Sequence, residues 1–172
     1  MNFRIREAKP QDIDLIFYFI CELAIYEKLR DDVTATVELL YESLFVKKQA
    51  EVLIAELADE SAIIVDSSTT SGSFTAIGFA LFFNNFSTFK GRASLYLEDI
   101  FIKPGFRGKG YGKQMLKELA KIAVKRDCDR FEWSVLDWNE PSIKFYKSLG
   151  AIPMDQWTVY RLTGESLRKM AE

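Results

Sequence analysis

Alternation opens the chain. Phe3-Arg4-Ile5-Arg6 sends apolar and charged residues to opposite sides, as a strand with one buried face requires. Beyond Pro10 the spacing lengthens: Ile13, Ile16, Phe17, Ile20, Leu23 and Ala24 recur three or four residues apart. That pattern predicts a helix from Asp12 to about Tyr26. A second helix is expected from Thr34 or Thr36, with Val37, Leu40, Leu44 and Phe45 on one side. Strand-like runs follow at Val52–Leu57, Ala62–Val65, Ala76–Asn84 and Ala93–Ile102, and the polar stretch 67–73 reads as a hairpin loop between two of them.

After Pro104 the helical period returns. A helix starting near Gly110 carries Met115, Leu116, Leu119, Ile122 and Ala123 as its apolar stripe, with Lys117, Lys121 and Lys125 at four-residue steps. Arg130–Leu136 reads as a strand, Pro141–Leu149 as a short helix stopped by Gly150, and Trp157–Leu162 as a last strand. The order β-α-α-β-β-β-α-β-α-β describes an α/β mixture, antiparallel early with one β-α-β crossover late. No repeat or heptad is visible, and 172 residues suit one domain spanning 1–172. With no membrane-length apolar run and no signal peptide at its charged start, a cytoplasmic protein is expected.

Charge sharpens this picture. The chain has 23 Lys and Arg against 25 Asp and Glu, so a net charge of −2 gives no support to nucleic-acid binding. The balance is uneven: residues 103–126 hold eight cations and one acid, while the first 66 residues hold 14 acids and seven bases. A local cation on an acidic body suits an anionic ligand at one place and a cationic one at another. Histidine is absent, which removes His-based nucleophilic triads and His-ligated metal sites; no metal is expected. Acid–base chemistry falls to Glu, Asp, Tyr, Lys, Cys or water. Cys21 and Cys128, distant in sequence, read as reduced core residues.

The strongest local signal is Arg107-Gly108-Lys109-Gly110-Tyr111-Gly112-Lys113, after a strand and at the opening of a helix. Glycines let successive N–H groups point into one concavity, and the helix N-terminus with its flanking cations adds positive charge. Phosphate is the natural occupant. A Walker loop fails because Tyr111 stands where lysine is required, and a dinucleotide fingerprint fails at Lys113. What remains is Arg107-x-x-Gly110-x-Gly112, which resembles the acetyl-CoA loop of the GNAT superfamily of N-acetyltransferases. Asn139-Glu140-Pro141-Ser142-Ile143-Lys144-Phe145-Tyr146 resembles that family's C-terminal cofactor segment. The blocks Glu22–Glu27, Leu95–Phe101 and Trp138–Ser142 resemble the spermidine/spermine acetyltransferase branch, whose relatives include thialysine acetyltransferases.

The resemblance implies a central, mixed, mostly antiparallel sheet flanked by helices and splayed at the cofactor site. It implies acetyl-CoA held by Ile100, Phe101, Ile102, Arg107, Gly108, Lys109, Gly110, Tyr111, Gly112, Lys113, Asn139, Ser142 and Tyr146. It gives Glu98 the role of base through ordered water and Tyr146 that of proton donor to the departing thiolate. Strand neighbours face opposite ways, so Glu98 and Asp99 share a cleft only if a bulge intervenes. Acceptor contacts fall on Tyr26, Glu27, Phe89, Glu98, Asp99, Asp155 and Trp157, with Phe89 standing where the polyamine enzymes carry tryptophan. The expected activity is direct acetyl transfer to a primary amine of a small polyamine or diamine-like substrate, in a homodimer. Thialysine, lysine-like or protein amines are the alternatives within the enzyme class, and a CoA-binding sensor is the alternative outside it.

Overall fold

The computed structural model describes residues 2–58 and 74–172. Two compact units divide the chain, the first ending at Ser134 and the second running from Val135 to Glu172. The first holds strands β1 (Phe3–Glu7), β2 (Glu51–Ala58), β3 (Phe74–Ser87), β4 (Arg92–Ile102) and β5 (Phe131–Trp133). They lie side by side in that order. The pairs from β1 to β4 are antiparallel and β5 joins β4 in parallel. The expected strand Ala62–Val65 and the loop 67–73 lie outside the described residues.

Helices α1 (Ile13–Glu27) and α3 (Tyr111–Lys125) cover opposite faces of this sheet, while α2 (Val37–Tyr41) continues into a π-helical turn over Glu42–Val46. On β2, Val52 and Ile54 join the cluster of Ile13, Ile16, Phe19 and Leu23 from α1. Leu53 faces the other way, beside Glu118, Lys121 and Ile122 of α3. Cover on both sides explains why β2 is buried continuously from Val52 to Leu57 instead of alternating. Phe19 stacks on Phe79 at 5.5 Å and tilts against Phe101 at 6.2 Å, which fixes α1 over β3 and β4. On the opposite face Phe3 stacks on Tyr111 at 4.8 Å and seats the first turn of α3 against β1.

Several local signals were legible. Thr36 caps α2, its Oγ1 accepting from Leu39 N at 3.2 Å. Met115, Leu116, Leu119 and Ala123 form the buried stripe of α3, and Gly150 follows α4 (Glu140–Ser148) at φ +88°. Both cysteines are free thiols, half-buried instead of sealed in the core.

One buried acid organises the sheet edge. Glu56 accepts from Arg4 Nε at 2.6 Å and from Arg6 Nε at 2.9 Å, and Arg6 also grips both oxygens of Asp12 at 2.7 and 2.9 Å. The Arg6 hydrogen bonds hold the Asp12 carboxyl below the ordinary carboxylate range. β1 and the entry to α1 are thereby tied to one carboxylate on β2.

Two expectations need correction. The strand expected over Arg130–Leu136 shortens to Phe131–Trp133, because its parallel ladder ends at Leu97↔Trp133. Trp157–Leu162 is no strand. Its alternation is real, yet a strand requires a ladder, and none of these residues has a ladder partner among the described residues. Trp157, Val159 and Tyr160 are accordingly 72%, 82% and 90% exposed. A short helix that the apolar pattern did not predict follows, α5 (Gly164–Met170), carrying a Glu165–Lys169 pair on its surface.

Gly78 marks a close approach of β4 to β3. A Cβ there would lie 2.3 Å from the carbonyl oxygen of Phe101 and 2.6 Å from Cδ1 of Ile102. Backbone cannot yield as a flexible side chain does, so Gly78→Ala should cost about 3 kcal/mol in urea unfolding. A loss below about 0.5 kcal/mol would show that the strands can separate there.

Candidate active site

The glycine loop grows out of the end of β4. A tight turn over Pro104–Phe106 leads into extended backbone at Arg107, then Gly108 at φ +74° and Gly110 at φ +83° before α3 begins at Tyr111. Nothing crowds a Cβ at either glycine, so glycine serves here for its left-handed backbone. Gly110 O receives its first helical bond from Gln114 N at 3.1 Å. The N–H groups of Tyr111, Gly112 and Lys113 precede any helical acceptor and point out of the N-terminus. With Lys109 and Lys113 exposed beside them, these groups fit a diphosphate. Tyr111 itself is buried under Phe3, so its N–H is what it offers a ligand.

Sheet register builds the other half of the site. Leu81 pairs with Asp99, but the next residue, Phe82, pairs with Leu97. Glu98 is therefore the extra residue of a β-bulge. The insertion changes the parity of the strand. Leu97 shares the face of Phe82, which packs toward Arg126 just beyond α3, while Phe101 lies against Phe19 of α1. Asp99, two residues from Phe101, is turned to the α1 face, and Glu98 stands exposed at the kink. The bulge that would let both acids serve one cleft is present.

Asp99 lies half-buried near the end of α1. Burial pushes its carboxyl up to about 7, and the negative charges of Glu98 and Glu27 add to the effect. Glu27, the last residue of α1, is itself raised by burial. Three carboxylates thus meet where α1 ends in a left-handed Lys28 (φ +62°) and β4 bulges. β5 leaves β4 after Leu97, so the β4 segment from Glu98 through Ile100 to Ile102 runs past the end of that ladder, as a splayed sheet requires. Phe101 and Ile102 are buried.

Arg107 joins the two halves. Its Nε donates to Ile102 O at 2.8 Å, and its guanidinium carbon lies 4.5 Å from the Tyr26 ring centroid and 5.3 Å from that of Phe101. No spacing rule in the sequence signals this stacking. The first unit therefore assembles Tyr26, Glu27, Asp99, Phe101, Ile102 and Arg107, with Glu98 at the bulge and the glycine loop following. Phe89 stands at the tip of the β3–β4 turn, 93% exposed. Gly78 was overlooked, although a lone glycine inside a strand pattern is a recognisable sign of close backbone approach.

The remaining candidates belong to the second unit. Asn139 is buried and caps α4, its Oδ1 accepting from Ser142 N at 3.4 Å. Tyr146 is half-buried on α4, its ring 5.5 Å from Phe145. Asp155 and Trp157 are exposed in the irregular stretch beyond it.

An acid raised on folding stabilises the protein most below its ordinary value and loses that contribution as pH climbs through the shifted one. Asp99→Asn should therefore unfold at a higher urea concentration than wild type near pH 8, the gap closing toward about pH 4. Identical pH profiles for the two proteins would contradict the shift.

Comparison with known proteins places these features in a family. Residues 24–151 match the Acetyltransferase (GNAT) family. A thialysine N-epsilon-acetyltransferase of Bos taurus is 36% identical over 97% of this chain and 96% of its own length. An L-ornithine N5-acetyltransferase of Arabidopsis thaliana is 32% identical over 98% of this chain and 87% of its own. Among solved structures, an integron cassette protein of V. cholerae superposes with a TM-score of 0.74 at 29% identity, covering 100% of this chain and 99% of the other. No helix among the described residues is long and apolar enough to cross a membrane. With its loop, its splayed mixed sheet and this similarity along the whole chain, the protein is an N-acetyltransferase of the GNAT family.

Proposed function

We propose that this acetyltransferase moves an acetyl group from acetyl-CoA directly to a primary amine of a small diamine or polyamine-like substrate, as a cytoplasmic homodimer. The observation that carries the reading is the convergence of Glu27, Glu98 and Asp99 at the end of α1, one bulge and one turn away from the phosphate-binding loop. A cationic amine is the substrate such a cluster attracts, and Tyr26 supplies an aromatic face for it. Acetyl-CoA contributes the thioester whose acyl group is transferred. The amides of Lys109 to Lys113 hold its diphosphate, and Asn139 and Ser142 of the second unit are further candidate cofactor residues.

Each role follows from what the chemistry needs. An alkylammonium is almost wholly protonated at neutral pH, at roughly one free amine per thousand molecules. Glu98, exposed at the kink, takes that proton through water. Asp99 and Glu27 hold the cation, and Asp155 and Trp157 are further candidate acceptor residues; Phe89, at the far end of β4 from Asp99, does not reach it within one chain. Tyr146 holds the proton that the departing thiolate takes up. Its phenol suits the task in a chain without histidine.

A second reading, transfer to thialysine or a lysine-like amine, is favoured by the similarity to the thialysine enzyme over nearly the whole chain. Such a substrate brings one amine to the acids and carries a carboxylate of its own. Thiol release from acetyl-CoA with spermidine, spermine, thialysine, ornithine and lysine separates the two readings by which amines are turned over. Tight CoA binding with no release for any amine, protein amines included, would leave only a CoA sensor.

Tyr146→Phe should lower kcat about 100-fold or more while changing CoA affinity by less than about threefold. Wild-type turnover in that variant would end the proton-donor role.

A further inference from the structure

The arginine of the Arg107-x-x-Gly110-x-Gly112 pattern is naturally read as one more cation for the phosphates. Its side-chain contacts say otherwise. One is the main-chain carbonyl of Ile102 at the end of β4, and the other two are the rings of Tyr26 and Phe101. None belongs to residues 108–113. Lys109 and Lys113 flank the amides instead, Lys109 Nζ also reaching Gly105 O at 3.2 Å.

We propose that Arg107 is a positioning residue, a strut that holds the acceptor end of α1 against the cofactor loop and so couples acetyl-CoA binding to amine binding. This deepens the reading of the site as an acetyl-CoA and amine site and rests on it. On one side the strut fixes the residue immediately before the first left-handed glycine of the loop. On the other it fixes Tyr26, which precedes Glu27, a member of the acid cluster. A planar guanidinium can stack on two rings while its Nε donates in plane; a lysine ammonium can keep the charge but not that geometry. Ordering of the loop by CoA is thereby transmitted to the end of α1, and linkage makes the effect reciprocal.

Hydrogen exchange on the full chain tests this without any amine. CoA should slow exchange of the amides in 22–29 by roughly threefold or more in wild type, and by much less in Arg107→Lys and in Tyr26→Leu. CoA titration calorimetry should give Arg107→Lys and Arg107→Gln affinities within about threefold of wild type. With an amine that the wild type acetylates, spermidine or thialysine, Arg107→Lys should raise KM about tenfold and lower kcat much less. Added to Tyr26→Leu, which itself removes the ring the amine meets, Arg107→Lys should raise KM by less than about twofold further. The strut is overturned if CoA protects 22–29 equally in all variants or protects them in none. It is also overturned if CoA affinity survives in Arg107→Lys but falls tenfold or more in Arg107→Gln, the signature of a phosphate ligand. Should Arg107→Lys lack a cooperative melt, Tyr26→Leu decides from the other end, and unchanged protection there counts against the proposal. Failure to acetylate any amine would defeat the functional reading alone, since the exchange and calorimetric arms need only CoA.

Discussion

Side chains on a strand must alternate between faces, and a strand covered on both sides cannot change which residues lie on which face without changing its length. The site depends on one such change. In β4, Glu98 is inserted between two residues that pair with consecutive partners on β3. Everything before it packs in one parity, with Leu95 and Leu97 buried on the α3 side. Everything after it packs in the other, with Phe101 in the α1 cluster. Without the extra residue, an unbroken alternation would keep Asp99 on the face of Leu97, away from Glu27 and Tyr26. Local irregularity and acidic chemistry thus have one origin.

The sheet must hold still around that kink. Gly78 lets β3 and β4 close directly across from Ile102, the residue whose carbonyl anchors Arg107. Two strands away, Glu56 sits opposite a second register shift, where Ile77 is the extra residue on β3, and gathers Arg4 and Arg6. A buried carboxylate is costly unless paired, and here two guanidiniums and the neighbouring Asp12 compose a closed network. Packing of α1 on Phe79 and Phe101 then carries this rigidity to Tyr26 and Glu27 at the helix end.

Much of this was written plainly in the sequence. The three-and-four spacing of α1 and α3, the glycine loop and the Gly150 stop are local signals that no tertiary context overrode, while the choice between Thr34 and Thr36 as the start of α2 falls to Thr36 only in the structure. Periodicity misled where a ladder was needed: Trp157–Leu162 has the alternation of a strand but no neighbour to bond, and Arg130–Leu136 keeps only the part that β4 accompanies. The helix α5 was missed because it buries no residue and so leaves no apolar stripe to read. In the site, the adjacent acids were visible, but that a bulge turns Asp99 toward α1 depends on pairing with β3. The stacking of Arg107 on Tyr26 joins residues 81 positions apart, and no spacing rule reaches that far.

A group that titrates near neutrality, set between two other acids, competes with protons for any cation drawn toward it. Entry of a positive ligand would expel the proton that Asp99 holds part of the time, so the two occupancies exclude each other by linkage. The heat of binding would then contain the ionisation heat of whatever buffer captures that proton. Affinity would climb with alkalinity until the carboxyl is fully ionised and level off beyond it, a thermodynamic signature carried by the free protein before any acetyl group moves.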